Sequence, residues 1–326
     1  MNESQQTSSN LFMPDVVVLG EALVDNFATG SVVGGAPFNV ARSLAALGVS
    51  VTQITRIGAN DAAGEQVLAS ARQFGLPESG LQKDVNHATG TVTVEQNGES
   101  HSFHIHDDVA WDYIELDDAR ATLAQSNPKI IYFGTLSQRS PVSRNTIRTL
   151  LNDTKALRFL DINFRDGPDN KSLAKDSLIL ANWVKVNDEE LNILFTWFVH
   201  PEKQPAAWGT EAHQLAVKQF IDQFQLSRLI VTRGASGYAS YVAGGHCEAS
   251  NQGQAVTHLV DTVGAGDAFS AATIATYLAG WKPEPSLALA NQYAAAICAQ
   301  RGPLPTDKSF FEFWHQKLVH NDMATF

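Results

Sequence analysis

Short apolar runs recur along the 326-residue chain and alternate with stretches of helical period. Runs at Asp15–Leu19, Val51–Ile57, Lys129–Phe133, Arg158–Ile162, Trp183–Val186 and Arg228–Thr232 predict strands. Most are apolar at successive positions, as in a parallel sheet covered on both faces. Between them Val40, Leu44 and Leu47 share one face of a helix over Asn39–Leu47. Val67, Leu68, Ala71 and Phe74 do the same over Glu65–Phe74. Strand–helix alternation of this kind predicts an α/β layered fold around a mostly parallel central sheet.

One segment has a different period. Val92 and Val94 alternate with Thr91, Thr93 and Glu95, and Phe103 and Ile105 alternate with Ser102 and His104. Asn97-Gly98 stands between them, a pair that tolerates the positive φ of a type I′ turn. An antiparallel hairpin is therefore expected within the parallel plan. Half-apolar and unstable alone, it must cover something, either a cleft or a second copy of the chain. Residues 1–10 are polar and expected to be disordered. The polar loop His200–Thr210 marks no domain boundary, and the whole span 1–326 reads as one domain.

Composition narrows the function classes. The chain is 44% apolar and 17% charged, with a net charge of -11. An acidic surface is a poor partner for nucleic acid, whose binding needs Lys and Arg. A polyanionic ligand would have to be held locally, by backbone amides, a few basic side chains and metal ions. Cys247 and Cys298 are far apart and form neither a disulfide framework nor a zinc spacing; both are expected to be buried thiols. No Lys or Arg precedes Arg42, so a charged secretory leader is missing. The apolar stretch Leu287–Ala299 is interrupted by Asn291 and Gln292 and is too short to span a bilayer. No membrane association and a cytoplasmic location are expected.

The most informative stretch is Asp261-Thr-Val-Gly-Ala-Gly-Asp267-Ala-Phe269. Its small residues allow consecutive backbone N–H groups to point at one anion, and the helix that follows adds its positive end. Asp267 beside such an anion can accept the proton of an attacking hydroxyl; alternatively it only caps the helix. A second stretch, Gly34-Gly35-Ala36-Pro37-Phe38-Asn39-Val40-Ala41, opens a helix with Asn39 as its expected cap. It is either a ligand-approach loop or a plain turn. Upstream, Gly20-Glu-Ala-Leu-Val-Asp25 leaves a carboxylate just past the first strand, where open α/β sheets bind ligands and where a polyol would be well received. Neither a P-loop nor a G-x-G-x-x-G dinucleotide fingerprint is present.

Together, GGAPFNVA and DTVGAGDAF resemble the two signatures of the ribokinase/PfkB carbohydrate kinase family, in their order and separation. Three further landmarks fall between them: Asp161-Ile-Asn163-Phe-Arg165, Asn187-Asp-Glu-Glu190 and Val231-Thr-Arg-Gly-Ala-Ser-Gly237. The resemblance covers Asp15 to Thr306. It implies a ribokinase-like three-layer fold with a small antiparallel β lid, built from residues 22–34 and 88–108. It also implies transfer of the γ-phosphoryl of ATP to a primary sugar hydroxyl.

The resemblance assigns roles position by position. Gly264, Ala265 and Gly266 would form the anion hole and Asp267 would be the base. Asp25, Gly34, Gly35 and Asn39 would hold sugar hydroxyls, with Arg165 at the cleft mouth touching sugar or phosphate, unless it pairs with a surface carboxylate. Asn187, Thr232, Gly234, Gly237, Gly266 and Asn291 would lie along the nucleotide. Glu190 would organise Mg²⁺ through water. Asp261, Val263, Gly302 and Thr306 match positions that hold a monovalent cation, K⁺, in the family. The lid would exclude water, and a homodimer through paired lids would be family-like. GEALVD with GGAPFNVA is closest to the fructokinase branch, which makes D-fructose the expected substrate and fructose 6-phosphate the product. Fructokinases commonly carry an aromatic–Arg pair after the lid hairpin; here the stretch reads His104-Ile-His106-Asp107-Asp108, followed by Trp111-Asp112. Thr135-Leu-Ser137-Gln138 stands where ribokinases have a Glu facing the sugar, which argues against ribose. The alternatives are a kinase for another sugar, sugar acid or riboside, and a non-catalytic sugar-binding regulatory relative.

Overall fold

The computed structural model describes residues 15–28, 30–97, 100–165, 170–200, 206–253 and 258–320. Segment 1–10, Gly98 of the expected turn and residues 201–205 of the polar loop lie outside the described residues. The chain opens with β1 (Val16–Leu19), β2 (Leu23–Phe27), β3 (Gly30–Gly34), α1 (Ala36–Ala46), β4 (Val51–Gly58) and α2 (Ala62–Gln73). There follow β5 (Leu81–Asp84), β6 (Gly90–Asn97), β7 (Ser100–Ile105), α3 (Leu116–Ser126), β8 (Ile130–Phe133), α4 (Pro141–Asp153) and β9 (Leu157–Asp161). The second half holds α5 (Asn170–Leu180), β10 (Trp183–Asn187), α6 (Asp188–Phe198), α7 (Glu211–Phe224), β11 (Arg228–Thr232), β12 (Tyr238–Val242) and β13 (His246–Asn251). Three helices close it: α8 (Ala265–Leu278), α9 (Pro283–Cys298) and α10 (Lys308–His320).

Nine strands form the main sheet in the order β13-β12-β11-β10-β9-β8-β1-β4-β5. From β11 to β5 all neighbours are parallel; β12 and β13 pair antiparallel at one edge. The continuous apolar runs are explained by two cores, one on each face of the sheet. Val16 and Val18 join Phe38, Leu44, Phe269, Tyr293 and Trp314 on one side. Val17 and Leu19 join Ile147, Leu150, Leu178, Leu194 and Phe220 on the other. Alternate side chains of one strand thus enter opposite cores, giving helix–sheet–helix layers.

A second sheet has the order β3-β2-β6-β7. The expected antiparallel hairpin is β6–β7, and β2–β3 forms another. The two meet through a parallel β2–β6 pair, so the small sheet is not antiparallel throughout. Leu23, Val92 and Val94 form its own apolar cluster, with Ile105 packed against them.

Two sequence expectations are corrected by local structure. Cys298 is buried, but Cys247 sits exposed on the edge strand β13. Asn39 does not cap α1. The helix begins at Ala36 with Pro37 in its first turn, and Gly35 is the cap residue. Pro at that position needs no hydrogen-bond partner for its nitrogen, so the helix starts three residues earlier and Asn39 becomes an interior position. No helix among the described residues is long and apolar enough to cross a membrane.

Candidate active site

Parallel pairing aligns the carboxyl ends of β1, β8, β9, β10 and β11 along one rim of the sheet. The order of connection, not the strand direction, reverses between β1, which leads to β4, and β8, which leads away on the other side. Ligands of open α/β sheets bind at such a switch point. Glu21 and Asp25 follow β1, Thr135 follows β8, Asp161–Arg165 ends β9, Asn187 ends β10 and Thr232–Gly237 follows β11. A cleft at the switch point is lined by Glu21, Pro37, Thr135, Asp161, Asn163 and Arg165, among others.

The buried helix α8 brings Asp267 to this rim. Gly264 precedes the helix with φ +80°, and a Cβ there would stand 2.7 Å from Pro303 Cα and its carbonyl oxygen. Only glycine fits both conditions. Asp267 is the third residue of α8 and makes no cap bond, which removes the capping alternative. Instead its Oδ2 accepts from Asn39 Nδ2 at 2.8 Å. The interior position of Asn39 on α1 is what aims its amide at this carboxylate. Asn39 Oδ1 in turn accepts from the buried Arg42 guanidinium. Burial pushes Asp267 up to about 6, against the pull of the Asn39 amide, Lys185 and Arg165. Among the described residues the amides of Gly264, Gly266 and Asp267 have no acceptor. The Ala265 amide differs from expectation, because it is taken by Thr262 O at 3.2 Å. Three free donors at a helix N-terminus beside a carboxylate can hold an anion next to a proton acceptor.

Asp25 is partly buried on β2, and burial raises it to about 6. A Cβ on Gly34, which pairs with Leu23 across β2–β3, would stand 2.4 Å from Asp25 Oδ2. Gly35 sits at the start of α1 with φ +98°. Arg165 is exposed; its Nη1 donates to Asn163 Oδ1 at 2.7 Å and Phe164 O at 3.0 Å, and to no carboxylate among the described residues.

On the opposite flank, Asn187 and Glu190 form a reciprocal cap of α6. Asn187 Oδ1 accepts from Glu190 N at 2.7 Å, and Glu190 Oε2 accepts from Asn187 N at 2.8 Å. Glu190 Oε1 also accepts from Phe164 N at 2.9 Å, which ties the end of β9 to the end of β10. Burial raises Glu190, opposed by Lys185. Thr232 ends β11, and a turn from Gly234 to Gly237 leads into β12. Asn291 is half-buried on α9. Asp261 gathers part of the expected cation set, accepting from Val263 N at 3.0 Å and Gly302 N at 3.1 Å. Thr306 is exposed, and no bond joins it to Asp261 among the described residues. No group of three His, Cys, Asp or Glu among the described residues could hold a metal ion. A larger groove of about 1240 Å³ runs along Trp208, Arg233, Tyr241 and Cys247. Neither Asp267 nor Asn187 lines it, and neither lines the switch-point cleft.

The pfkB family carbohydrate kinase model matches residues 12–308. The chain belongs to this family. A sugar kinase of Pyrococcus horikoshii is 32% identical over 48% of the chain, although the match spans only about half of that relative (53%). The fructokinase of Salmonella typhimurium is 26% identical over 89% of this chain and 94% of its own. Among solved structures, the fructokinase of Xylella fastidiosa with bound ATP superposes with a TM-score of 0.77 at 22% identity, covering 94% of this chain and all (100%) of the other. A fructokinase double mutant of Vibrio cholerae O395, in a form with fructose, ADP and potassium ion bound, gives 0.72 at 23% identity over 93% and 98%. These superpositions establish the ribokinase-like fold.

Several residues of this carbohydrate kinase's site escape a reading by motif. Glu21 is 3% exposed beside the cleft, and its Oε2 has no partner among the described residues. Burial lifts it to about 7. Arg139 supplies the basic group that the His104–Asp112 stretch lacks. Its guanidinium forks onto Asp112 at 2.9 and 2.8 Å, reaches Asp107 at 3.0 Å and lies 4.0 Å from the Trp111 ring centroid. The acidic patch is therefore neutralised from a distant segment, which no local pattern announces. Asp161 belongs to the Asp161–Arg165 landmark, but its acceptance from Lys185, Tyr132 and Ser270 in the interior is not announced by that motif. One signal was available there: a lone lysine within the doubly covered strand WVKVN.

Proposed function

We propose that the chain transfers the γ-phosphoryl group of ATP to the primary 6-hydroxyl of D-fructose, with Asp267 as general base. One observation carries the reading: three unclaimed amides at the start of α8 stand beside a buried carboxylate that is bonded to Asn39 and lies within electrostatic reach of Glu21 and Arg165 of the switch-point cleft. The amides of Gly264 and Gly266 receive charge that develops on the transferring group, and Asp267 accepts the hydroxyl proton as the bond to phosphorus forms. Asn39, Gly34, Gly35 and Asp25 hold the sugar, with Arg165 at the mouth. Asn187, Thr232, Gly234, Gly237 and Asn291 border the nucleotide.

The donor set fits a Mg²⁺ carried on the nucleotide rather than in a protein cage. Both Glu190 oxygens already accept backbone amides, which leaves it a water-mediated role. Bound there, Mg²⁺ would neutralise phosphate charge. Asp261 ties the segments of Val263 and Gly302 together through their amides; a K⁺ ion beside the loop would draw on its charge and on backbone carbonyls, and a fructokinase relative was solved with potassium ion bound. The small sheet β3-β2-β6-β7 serves as the cover that excludes water.

A panel of sugars, sugar acids and ribosides with ATP and Mg²⁺, read by ADP release, tests the substrate. Fructose is expected to give the highest kcat/KM. Turnover of another member with none of fructose overturns the substrate and keeps the sugar-kinase class.

A further inference from the structure

We propose that Lys185 is a positioning residue that keeps Asp267 anionic against the charge of Asp161 and of an arriving phosphoryl group; this rests on the reading of Asp267 as base. Lys185 sits in the middle of β10 and is 6% exposed. Its Nζ stands 3.0 and 3.2 Å from the two oxygens of Asp161, at the end of the neighbouring strand β9. The ammonium also lies against the anion-binding turn. A Cβ built on Gly266 would be 2.8 Å from Nζ. Gly266 has no positive φ, so conformational freedom does not explain the glycine. A side chain there would crowd the ammonium that Asp161 holds in place.

The pair is fastened to the helix that carries the base. Asp161 Oδ2 accepts from Ser270 Oγ at 2.9 Å, and Ser270 lies one turn after Asp267 on α8. Tyr132 donates to the same oxygen at 3.2 Å. An ion pair this deep costs more desolvation than a surface pair, and apolar residues would fill the space without that cost. Its use is electrostatic.

The groups around Asp267 show why one cation decides its state. From α1 come the Asn39 amide and the Arg42 guanidinium; from the segment after β1, the carboxyl of Glu21. Strand β8 contributes Tyr132, the end of β9 contributes Asp161 and Arg165, and β10 contributes Lys185. Asp161 and Glu21 resist a negative Asp267. Arg42 is engaged with Asn39, Ser70 and the Val33 carbonyl, and Arg165 is exposed at the cleft mouth. Lys185 is the buried ammonium placed between Asp161 and the loop. Burial alone would lower it, but Asp161, Glu190 and Asp267 outweigh burial and hold it above the ordinary lysine value.

The test compares wild type, Lys185→Met, Asp161→Asn and the double variant. Each is followed by the acidic limb of kcat/KM and by carboxyl ¹³C NMR of aspartate-labelled protein, with the Asp267 signal assigned by its absence in Asp267→Asn. Lys185→Met should raise the Asp267 titration by about one pH unit, the low end of what one nearby opposite charge does, and lower kcat/KM at neutral pH. Asp161→Asn should shift the titration downward. The double variant should return close to wild type, a reversal that a merely structural pair would not produce. An Asp267 titration that is unmoved, or that moves the same way in both single variants, overturns the proposal. If Lys185→Met fails to fold, Lys185→Gln takes its place and is judged by the same criterion. NMR needs no turnover, so absence of sugar phosphorylation in wild type would overturn the kinase reading while leaving the Lys185 result standing or falling by itself. The limb in kcat/KM also contains Glu21, which the NMR signal separates.

Discussion

Replacing Asp267 by Asn should make the protein less active and more stable, with the stability gain confined to one side of a pH window. Asn keeps an oxygen for the Asn39 amide, which donates at 2.8 Å in the present structure. It cannot accept the hydroxyl proton, so kcat should fall by roughly 10²–10⁴, the contribution expected of a positioned base. The stability effect follows from burial. Asp267 titrates at about 6 in the folded chain against 3.8 when free. Between those values the folded state holds a proton that the unfolded chain has released, so stability falls as pH rises through the window. Above about pH 6 the full penalty is present. Two units at 1.36 kcal/mol each amount to about 3 kcal/mol; below about pH 4 it is absent. Urea unfolding of both proteins should therefore show the variant more stable by up to about 3 kcal/mol at pH 8, with no gain at pH 4. ADP-release assays on the same preparations supply kcat. A kcat within a few-fold of wild type would remove Asp267 from the chemistry. A stability difference independent of pH would refute the burial argument.

Three further perturbations reach other parts of the site. Asn39→Ala removes the amide that pulls Asp267 down; the acidic limb of kcat/KM should move to higher pH, measured by initial rates across pH 5–9. Arg139→Ala leaves the buried carboxylate of Asp112 without its fork, and chemical unfolding should show a loss of about 3–5 kcal/mol. Arg139→Lys should restore only part of it, because an ammonium cannot reproduce two parallel bonds. Removing the β6–β7 hairpin should raise ATP hydrolysis relative to sugar phosphorylation, read by comparing ADP with sugar phosphate; an unchanged ratio counts against a water-excluding cover.

The parts of the molecule legible in the sequence are those where one local pattern has one physical cause. Largely apolar runs marked β1, β8, β9, β10 and β11 because each is covered on both faces; β4 carries Thr52, Gln53, Thr55 and Arg56 among its apolar residues. Small residues marked the turn before α8 because a Cβ at Gly264 would strike Pro303. By contrast, β13 is an edge strand with mostly exposed residues, and its sequence HCEASN carries no apolar run to find. The partnerships of Asp267, as opposed to the residues that make them, were illegible for a different reason. Asn39 is 228 positions away and Asp161 is 109 positions from the Ser270 that ties it to α8, so only the folded sheet makes them partners. A motif names the group that does chemistry; the charges that set its protonation arrive from other strands and helices. Lys185 shows the intermediate case, since a cation inside a doubly covered strand must be paired by something. The sequence poses that requirement, and the parallel register of β9 and β10, which sets Lys185 beside Asp161, answers it. Buried polar residues inside apolar strands are thus the positions at which a sequence reading of such an enzyme should look for its second layer of function.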